Sequence, residues 1–346
     1  MLALDVISKT TGQLAQVHCL YSNLTALASE QTIGFWEYLD RKYGSIDFSR
    51  CSEDDIGELY VHYHAEATPV SHDSLTPYLN AVDCAKWIHP SSARLNTIWA
   101  SHLSSLGVRD PGISRPATGA VSTNELLDCL SKHDLILDLR PSGGALYLDA
   151  TSDGAPLRQV ISPEGRSNYL VYFLRDLASH VNEYDHVVLL HDPELTQDFL
   201  LVQIILERIS HATVSRVVTK RVPINGAVSS ARHGQWHGYT TSKLISKLQE
   251  RNEPLSLRLG MRLYLVAIIE SDRDRSFSIE RLQRFIERAD RLFCSAPAVP
   301  VSSLQTFLLR CARRRPYVDP YIVTSCLLSN TRPALTPNAE SLEWYM

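Results

Sequence analysis

The chain has 346 residues, 44% hydrophobic and 21% charged, a globular composition long enough for one large domain or two ordinary ones. No apolar run approaches the roughly 20 residues needed to span a bilayer. The opening MLALDVISKTTGQ has neither a basic region nor a long apolar core, so no signal peptide is expected. Seven scattered cysteines without a C-x-x-C spacing argue against a zinc ribbon or a secreted disulfide framework, and a reducing cytoplasm is the simplest compartment. The net charge of −4 is unevenly spread: residues 1–206 hold 13 Lys+Arg against 26 Asp+Glu, and residues 207–346 hold 21 against 12. Such polarity can steer a polyanion onto one part of a molecule, although solvated surface charge explains it equally well.

In chain order, apolar positions at three- and four-residue spacing over Leu24–Tyr43 and Ala81–Leu106 predict a mainly helical first 110 residues. Two prolines and two glycines between Asp110 and Gly119 predict a linker. Beyond it, a short helix starts at Thr123, and Asp134–Leu139 and Ala145–Asp149 read as strands joined by the turn Pro141–Gly144. The stretch Leu157–Leu195 predicts a β-α-β unit, with an apolar strand, a turn at Ser162, a helix over Tyr169–Val181 and a second strand. A helix over Leu195–Ser210, a strand over Val214–Val218 and a polar loop over Ser229–Tyr239 follow. A helix over Ser242–Gln249, an apolar strand over Arg262–Ile269 and helices over Ser278–Phe293 and Ser302–Arg315 complete the pattern. The tail from Ser329 has little pattern and is expected to be poorly ordered. Alternation of strands with helices predicts an α/β fold with a mostly parallel sheet.

Several chemistries lack their residues. There is no G-x-x-x-x-G-K-[ST] and no G-x-G-x-x-G, the usual backbone cradles for nucleotide phosphates. His62-Tyr-His64 could pair two imidazoles on one strand face, but two further ligands are lacking, so no metal is expected. His233 and His237, four apart in a loop, suit surface or substrate contact better than metal.

Three features carry candidate chemistry. Ser162 follows an apolar strand and precedes Pro163, which ends a central strand because it has no N–H. Ser167 or Asn168 is placed to cap the following helix, whose first N–H groups favour nearby negative charge. A serine there can act as a nucleophile beside an oxyanion site, or can simply satisfy a turn. Next, Asp192, Glu194 and Asp198 gather after the second strand, where α/β sheets bind ligands, and suit a guanidinium; helix capping is the competing role. Finally, Arg216, Lys220, Arg221, Lys243, Lys247 and Arg251 form one candidate track for a polyanion. Arg310 with Arg313, Arg314 and Arg315 forms another, denser than a helix dipole requires.

These residues resemble the cyclodipeptide synthases, which join amino acids taken from aminoacyl-tRNAs into diketopiperazines. Val160-Ile-Ser162, Ser167-Asn-Tyr169 and Asp185–Asp192 are similar to the family's nucleophile segment and the strand after it. Tyr264–Glu270 is similar to its later Tyr and Glu, and Val299–Phe307 to its last motif. The sequence departs in having Val160 for a glycine, a longer turn, Tyr264 and Glu270 two residues further apart, and Phe307 for a tyrosine. The closest likeness is to the fungal branch that makes arginine-containing cyclic dipeptides.

The resemblance implies a Rossmann-like, mostly parallel sheet with helices on both faces, similar to a class I aminoacyl-tRNA synthetase catalytic domain, in residues 119–328. A helical region would occupy 1–118 and a tail 329–346. It further implies Ser162 as nucleophile, Tyr264 and Glu270 in proton transfer, and Asn168, Asp192, Glu194, Asp198 and Phe307 as substrate contacts. Lys220, Arg221, Lys243, Lys247, Arg251 and Arg313–Arg315 would hold aminoacyl-tRNA, plausibly arginyl-tRNA. No cofactor, metal or membrane is required. Two alternatives stay open: a serine acyltransferase or hydrolase pairing Ser162 with His191 or a loop histidine, and a catalytically silent synthetase-like RNA-binding module.

Overall fold

All five predicted strands between residues 134 and 218 form in the computed structural model of the chain, but they do not make one sheet. The structure describes residues 1–44, 46–66, 71–113, 119–226, 228, 231–234, 236, 238–270, 276–295, 301–329 and 342–346. Helices α1 (Leu2–Thr11), α2 (Asn23–Leu27), α3 (Glu30–Tyr43), α4 (Glu53–Glu66), α5 (His72–Ala85) and α6 (Pro90–Ser105) make the N-terminal region helical, as expected. Then come α7 (Thr123–Lys132), β1 (Ile136–Asp138), β2 (Leu146–Leu148), β3 (Arg158–Ile161), α8 (Tyr169–Ala178), β4 (His186–His191), α9 (Thr196–Ile209) and β5 (Thr213–Val218). The chain continues through α10 (Thr241–Gln249), α11 (Pro254–Glu270), α12 (Ile279–Ser295), α13 (Val301–Ala312) and α14 (Pro320–Leu328).

β1, β2 and β3 form an antiparallel meander, with Ile136 opposite Leu148 and Tyr147 opposite Gln159. Only β4 and β5 pair in parallel, from His186–Thr213 to His191–Val218. Connection length explains the difference from the expected parallel sheet. A parallel crossover needs about a dozen residues or more, and the links from Asp138 to Leu146 and from Leu148 to Arg158 are too short. The link from β4 to β5 contains all of α9 and is long enough. The expected β-α-β unit over Leu157–Leu195 does not form a parallel pair: its link through α8 is also long enough, yet β3 and β4 belong to different sheets among the described residues, and the parallel β-α-β unit is β4-α9-β5.

The chain divides into two compact units that are not consecutive in sequence. The first comprises Met1–Leu20, Ile98–Pro111 and Thr219–Met346; the second comprises Tyr21–Thr97 and Gly112–Val218. The expected junction at residues 118 and 119 thus falls inside the second unit.

In the second unit, the strands pack with α7, α8 and α9 around Leu130, Leu146, Leu170, Leu174, Val202 and Ile205, all buried. A capping box starts α7: Ser122 accepts from the Glu125 N–H, and Glu125 reaches back to Ser122. The opposite side of α8 places Tyr172 among Trp36, Leu39 and Val82 of the helical region. Arg175, buried in α8, holds Asp83 through two bonds of 2.6 and 3.0 Å and donates to the Val121 carbonyl at 2.7 Å.

In the first unit, Arg262–Ile269 is the interior of α11 and not a strand. Its apolar residues are buried on every side, Leu259, Leu263 and Val266 in one cluster and Leu257, Met261 and Ile268 in another. An apolar run buried all round reads alike as strand or helix, and only its length separates them. Gly260 lets α12 approach: a Cβ there would stand 2.5 Å from the Ile286 Cα. Arg262, fully buried, donates to Asp5 and to the Tyr345 carbonyl at 2.5 Å each, and lies over the Tyr345 ring at 5.7 Å. Asp5 also accepts from the Arg109 N–H at 2.9 Å and pairs with Lys9 at 3.2 Å. Of the tail, residues 330–341 lie outside the described residues; Leu342, Trp344, Tyr345 and Met346 are buried core, contrary to the expected disorder.

Removing Asp5 leaves a buried cation without its carboxylate, which typically costs about 3–5 kcal/mol. Asp5→Ala is therefore expected to lower the urea midpoint for the helices of the first unit by a clear margin, and an unchanged midpoint would refute the pair's role. Burial, and Cys326 beside it, push the Cys311 thiol up to about 12. At pH 8.5 it stays protonated, so alkylation of the native protein should label the exposed Cys326 and spare Cys311, as peptide mapping would show.

Candidate active site

The turn between β3 and α8 is fixed by the backbone at both ends. The Ser162 N–H donates to the Arg166 carbonyl and the Gly165 N–H to the Ser162 carbonyl, both at 2.9 Å. Ile161 bridges Ser167, and the Asn168 N–H donates to the Val160 carbonyl at 2.8 Å. Gly165 has φ of +84°, a conformation that glycine adopts without a Cβ penalty. Asn168 caps α8 as expected, accepting from the Leu170 N–H and donating to the Gln159 carbonyl, each at 2.9 Å.

Ser162 is half-buried in this turn. Its hydroxyl donates to the Glu164 carboxylate at 2.7 Å and accepts from the Arg166 N–H at 3.3 Å. That hydroxyl bond first, with the Glu164 N–H second, holds the Glu164 carboxyl below its ordinary range. The pair presents a serine proton directly to a carboxylate. The oxyanion role expected of the turn's backbone is less well served, because the N–H groups of Ser162, Gly165, Arg166, Asn168 and Leu170 already have acceptors within the turn.

His191, expected as a base in the hydrolase alternative, is buried at the end of β4 and stacks on Phe199 with ring centroids 4.8 Å apart. Its Nδ1 lies 2.8 Å from the Asp192 carbonyl, which can only accept, so that nitrogen carries the proton. The hydrogen bonds of Ser162 run to Glu164 and Arg166 instead.

The acidic cluster divides. Asp192 precedes the short 3₁₀ turn Pro193–Leu195 and makes no side-chain cap there; Glu194 is exposed in that turn. Asp198, in the first turn of α9, accepts the Tyr169 hydroxyl at 2.5 Å and the Arg158 guanidinium at 3.0 Å. Burial, and then the bond to Asp198, push the Tyr169 phenol well above its ordinary range. Asp198 therefore does hold a guanidinium, but one from its own chain. Tyr169 was legible only as the residue after a helix cap; its partners lie about 11 and 29 residues away in the sequence, and local pattern does not reveal them.

Tyr264, Glu270 and Phe307 fall in the first unit. Tyr264 is 2% exposed inside α11, and its hydroxyl accepts the Ser278 N–H at 2.7 Å. Burial pushes its phenol up. It is a core residue, so its expected place in a catalytic strand is corrected. Phe307 is likewise core, packed on Trp344 with centroids 5.9 Å apart. Glu270 ends α11, and its side chain lies outside the described residues.

Of the basic tracks, Lys243, Lys247 and Arg251 are exposed on and after α10; Arg221 is exposed and Lys220 half-buried. Arg216 is part of the second unit and donates to the Thr196 carbonyl at 3.2 Å. Arg313 and Arg314 are exposed, with φ of +48° and +69°, whereas Arg315 pairs with Asp319 and lies over Tyr317. His62 and His64 sit in α4, where residues two apart face different ways, so the expected shared strand face does not exist. Among the described residues no three His, Cys, Asp or Glu side chains are grouped to hold a metal. His237 lies outside the described residues.

The chain matches no known family model, and no curated protein resembles it at a significant level. The site must be judged on its own geometry.

Two substitutions separate the parts of that geometry. Asn168→Ala removes a helix cap, typically worth about 1 kcal/mol, and should lower the unfolding midpoint. Asp198→Asn should leave α8 capped while removing the charged acceptor of the Tyr169 hydroxyl. Its signature is a Tyr169 phenol titration that falls towards its ordinary range, followed by ultraviolet difference absorbance, with little change in helix content; an unaltered titration would overturn the Tyr169–Asp198 assignment.

Proposed function

We propose that the chain is a tRNA-dependent aminoacyltransferase of the cyclodipeptide-synthase type, with Ser162 as its nucleophile. The observation that carries this reading is the 2.7 Å bond from the Ser162 hydroxyl to the Glu164 carboxylate, at a turn that the backbone holds in place. Attack of Ser162 Oγ on the ester carbonyl of a first aminoacyl-tRNA forms the acyl-enzyme. The proton passes to Glu164 and from it to the leaving oxygen as the ester C–O bond breaks, which releases the tRNA hydroxyl and restores the Glu164 carboxylate. The amine of a second aminoacyl-tRNA then attacks the acyl-enzyme and restores Ser162. The free amine of the resulting dipeptidyl-tRNA attacks its own ester, closing the ring and releasing the second tRNA. The ester already carries the activation, so no ATP enters.

Two changes follow for the residue roles. Tyr264 takes no part, because it is buried in α11 and its hydroxyl accepts the Ser278 N–H. Glu270 lies in the other unit with its side chain outside the described residues, and no role at Ser162 is assigned to it. An arginyl substrate is supported by Asp198, which accepts a guanidinium, with Asp192 and Glu194 close in sequence. Exposed Lys243, Lys247, Arg313 and Arg314 support a polyanionic carrier. No helix is long and apolar enough to cross a membrane among the described residues, in keeping with reaction on a diffusing carrier.

A silent RNA-binding module is the second reading, favoured by the five turn N–H groups that already have acceptors. Incubation of the full chain with charged tRNAs, without ATP, and mass spectrometry of the products decides between them. A cyclic dipeptide that falls on the order of a thousandfold or more in Ser162→Ala is the expected result. Product undiminished in that variant overturns the nucleophile. Salt-sensitive tRNA binding without product favours the silent module.

A further inference from the structure

Arginine is concentrated on α12. Arg281, Arg284, Arg288 and Arg291 recur at steps of three, four and three residues, which keeps them in one stripe about 15 Å long on an α-helix. The apolar side of α12 (Leu282, Ile286, Ala289 and Leu292) is buried. Glu280, Glu287 and Asp290 fall on the other side of the stripe from it. Arg281, Arg284 and Arg291 are exposed, and Arg288 is half-buried.

Like charges at these spacings oppose helix formation. Burial first, and then Arg291, lower the affinity of Arg288 for its proton, while Glu280 and Glu287 stand four residues before Arg284 and Arg291 and offset part of the repulsion. At the start of the helix, Glu280 feels both Lys247 of α10 and Arg284, so the cations of α10 and α12 adjoin. A row of guanidiniums on a rigid rod, at spacings of roughly 5–6 Å, matches a regular line of anions better than a single ion.

We propose that the arginine stripe of α12, extended by Lys243 and Lys247, is a docking surface for the phosphate backbone of a base-paired RNA stem. RNA as the polyanion rests on the acyl-transfer reading above. An anionic membrane fits less well. The apolar side of α12 is already buried and cannot insert into lipid, and the flanking Glu280, Glu287 and Asp290 would meet the same bilayer surface. A phosphate strand touches a narrow line and needs no inserted apolar face.

The test uses the full-length protein and uncharged tRNA transcript, with binding followed by fluorescence anisotropy over a range of salt concentrations. Arg284→Glu/Arg291→Glu is expected to weaken binding at least about tenfold at moderate salt. It should also reduce the salt slope by nearly two, since each phosphate neutralised contributes roughly 0.7–0.9. Arg284→Gln/Arg291→Gln provides the same readout without introducing repulsion, and circular dichroism verifies the fold of each. Wild-type affinity and slope in a folded double variant would overturn the proposal. So would an absence of tRNA binding by the wild-type chain, or α12-dependent binding to phosphatidylserine vesicles in preference to tRNA. Because the transcript is uncharged, Ser162→Ala should bind normally. Stripe-dependent binding by a chain that forms no acyl product would keep this surface and remove the transferase reading.

Discussion

A guanidinium carried into an apolar interior must be met there by oxygens, because an unpaired buried charge costs several kcal/mol. Arg262 imposes that condition on the first unit. Its oxygens come from Asp5 in α1, Leu106 after α6 and Tyr345 in the closing residues, which lie far apart along the chain. The discontinuity of this unit follows directly. Three segments that share no sequence neighbourhood converge because one side chain in α11 needs all of them. Arg175 has the corresponding role in the second unit, drawing Asp83 and Val121 to α8. Each unit is organised around a helix whose buried arginine accounts for its distant partners.

Local elements were readable where pattern and capping agree. Ser122 with Glu125 starts α7, and Asn168 starts α8, from side chains within three residues of the bonds they make. The strands around Leu137, Leu146, Val160, Val188 and Val217 were legible from β-branched and apolar runs. What failed was their assembly. Alternation suggested one parallel sheet, whereas the short links on either side of β2 permit only antiparallel neighbours. α11 failed for another reason: a helix with no solvated side has no period to read, and Tyr264 inherited the error.

The candidate site divides along the same line. The Ser162 turn was legible because Pro163, Gly165 and Asn168 each act through backbone within a few residues. Glu164, the partner of the serine hydroxyl, is two residues away, and a carboxylate in an exposed turn is an obvious acceptor. The association of Arg158, Tyr169 and Asp198 joins β3, α8 and α9, and no local signal marks it. The arginines of α12 were visible as letters; their alignment became meaningful only once the opposite side of the helix was buried.

The guanidinium of Arg158 on Asp198 also alters how this carboxylate recognises anything else. Since the chain supplies its own cation at short range, an arriving cation exchanges with an intramolecular competitor whose effective concentration is high. Simple charge attraction then cancels between the two states, and no monovalent ion or isolated amine gains by displacing it. Net affinity is left to groups that offer contacts Arg158 cannot make. Any cation that reaches Asp198 therefore meets Arg158 there first.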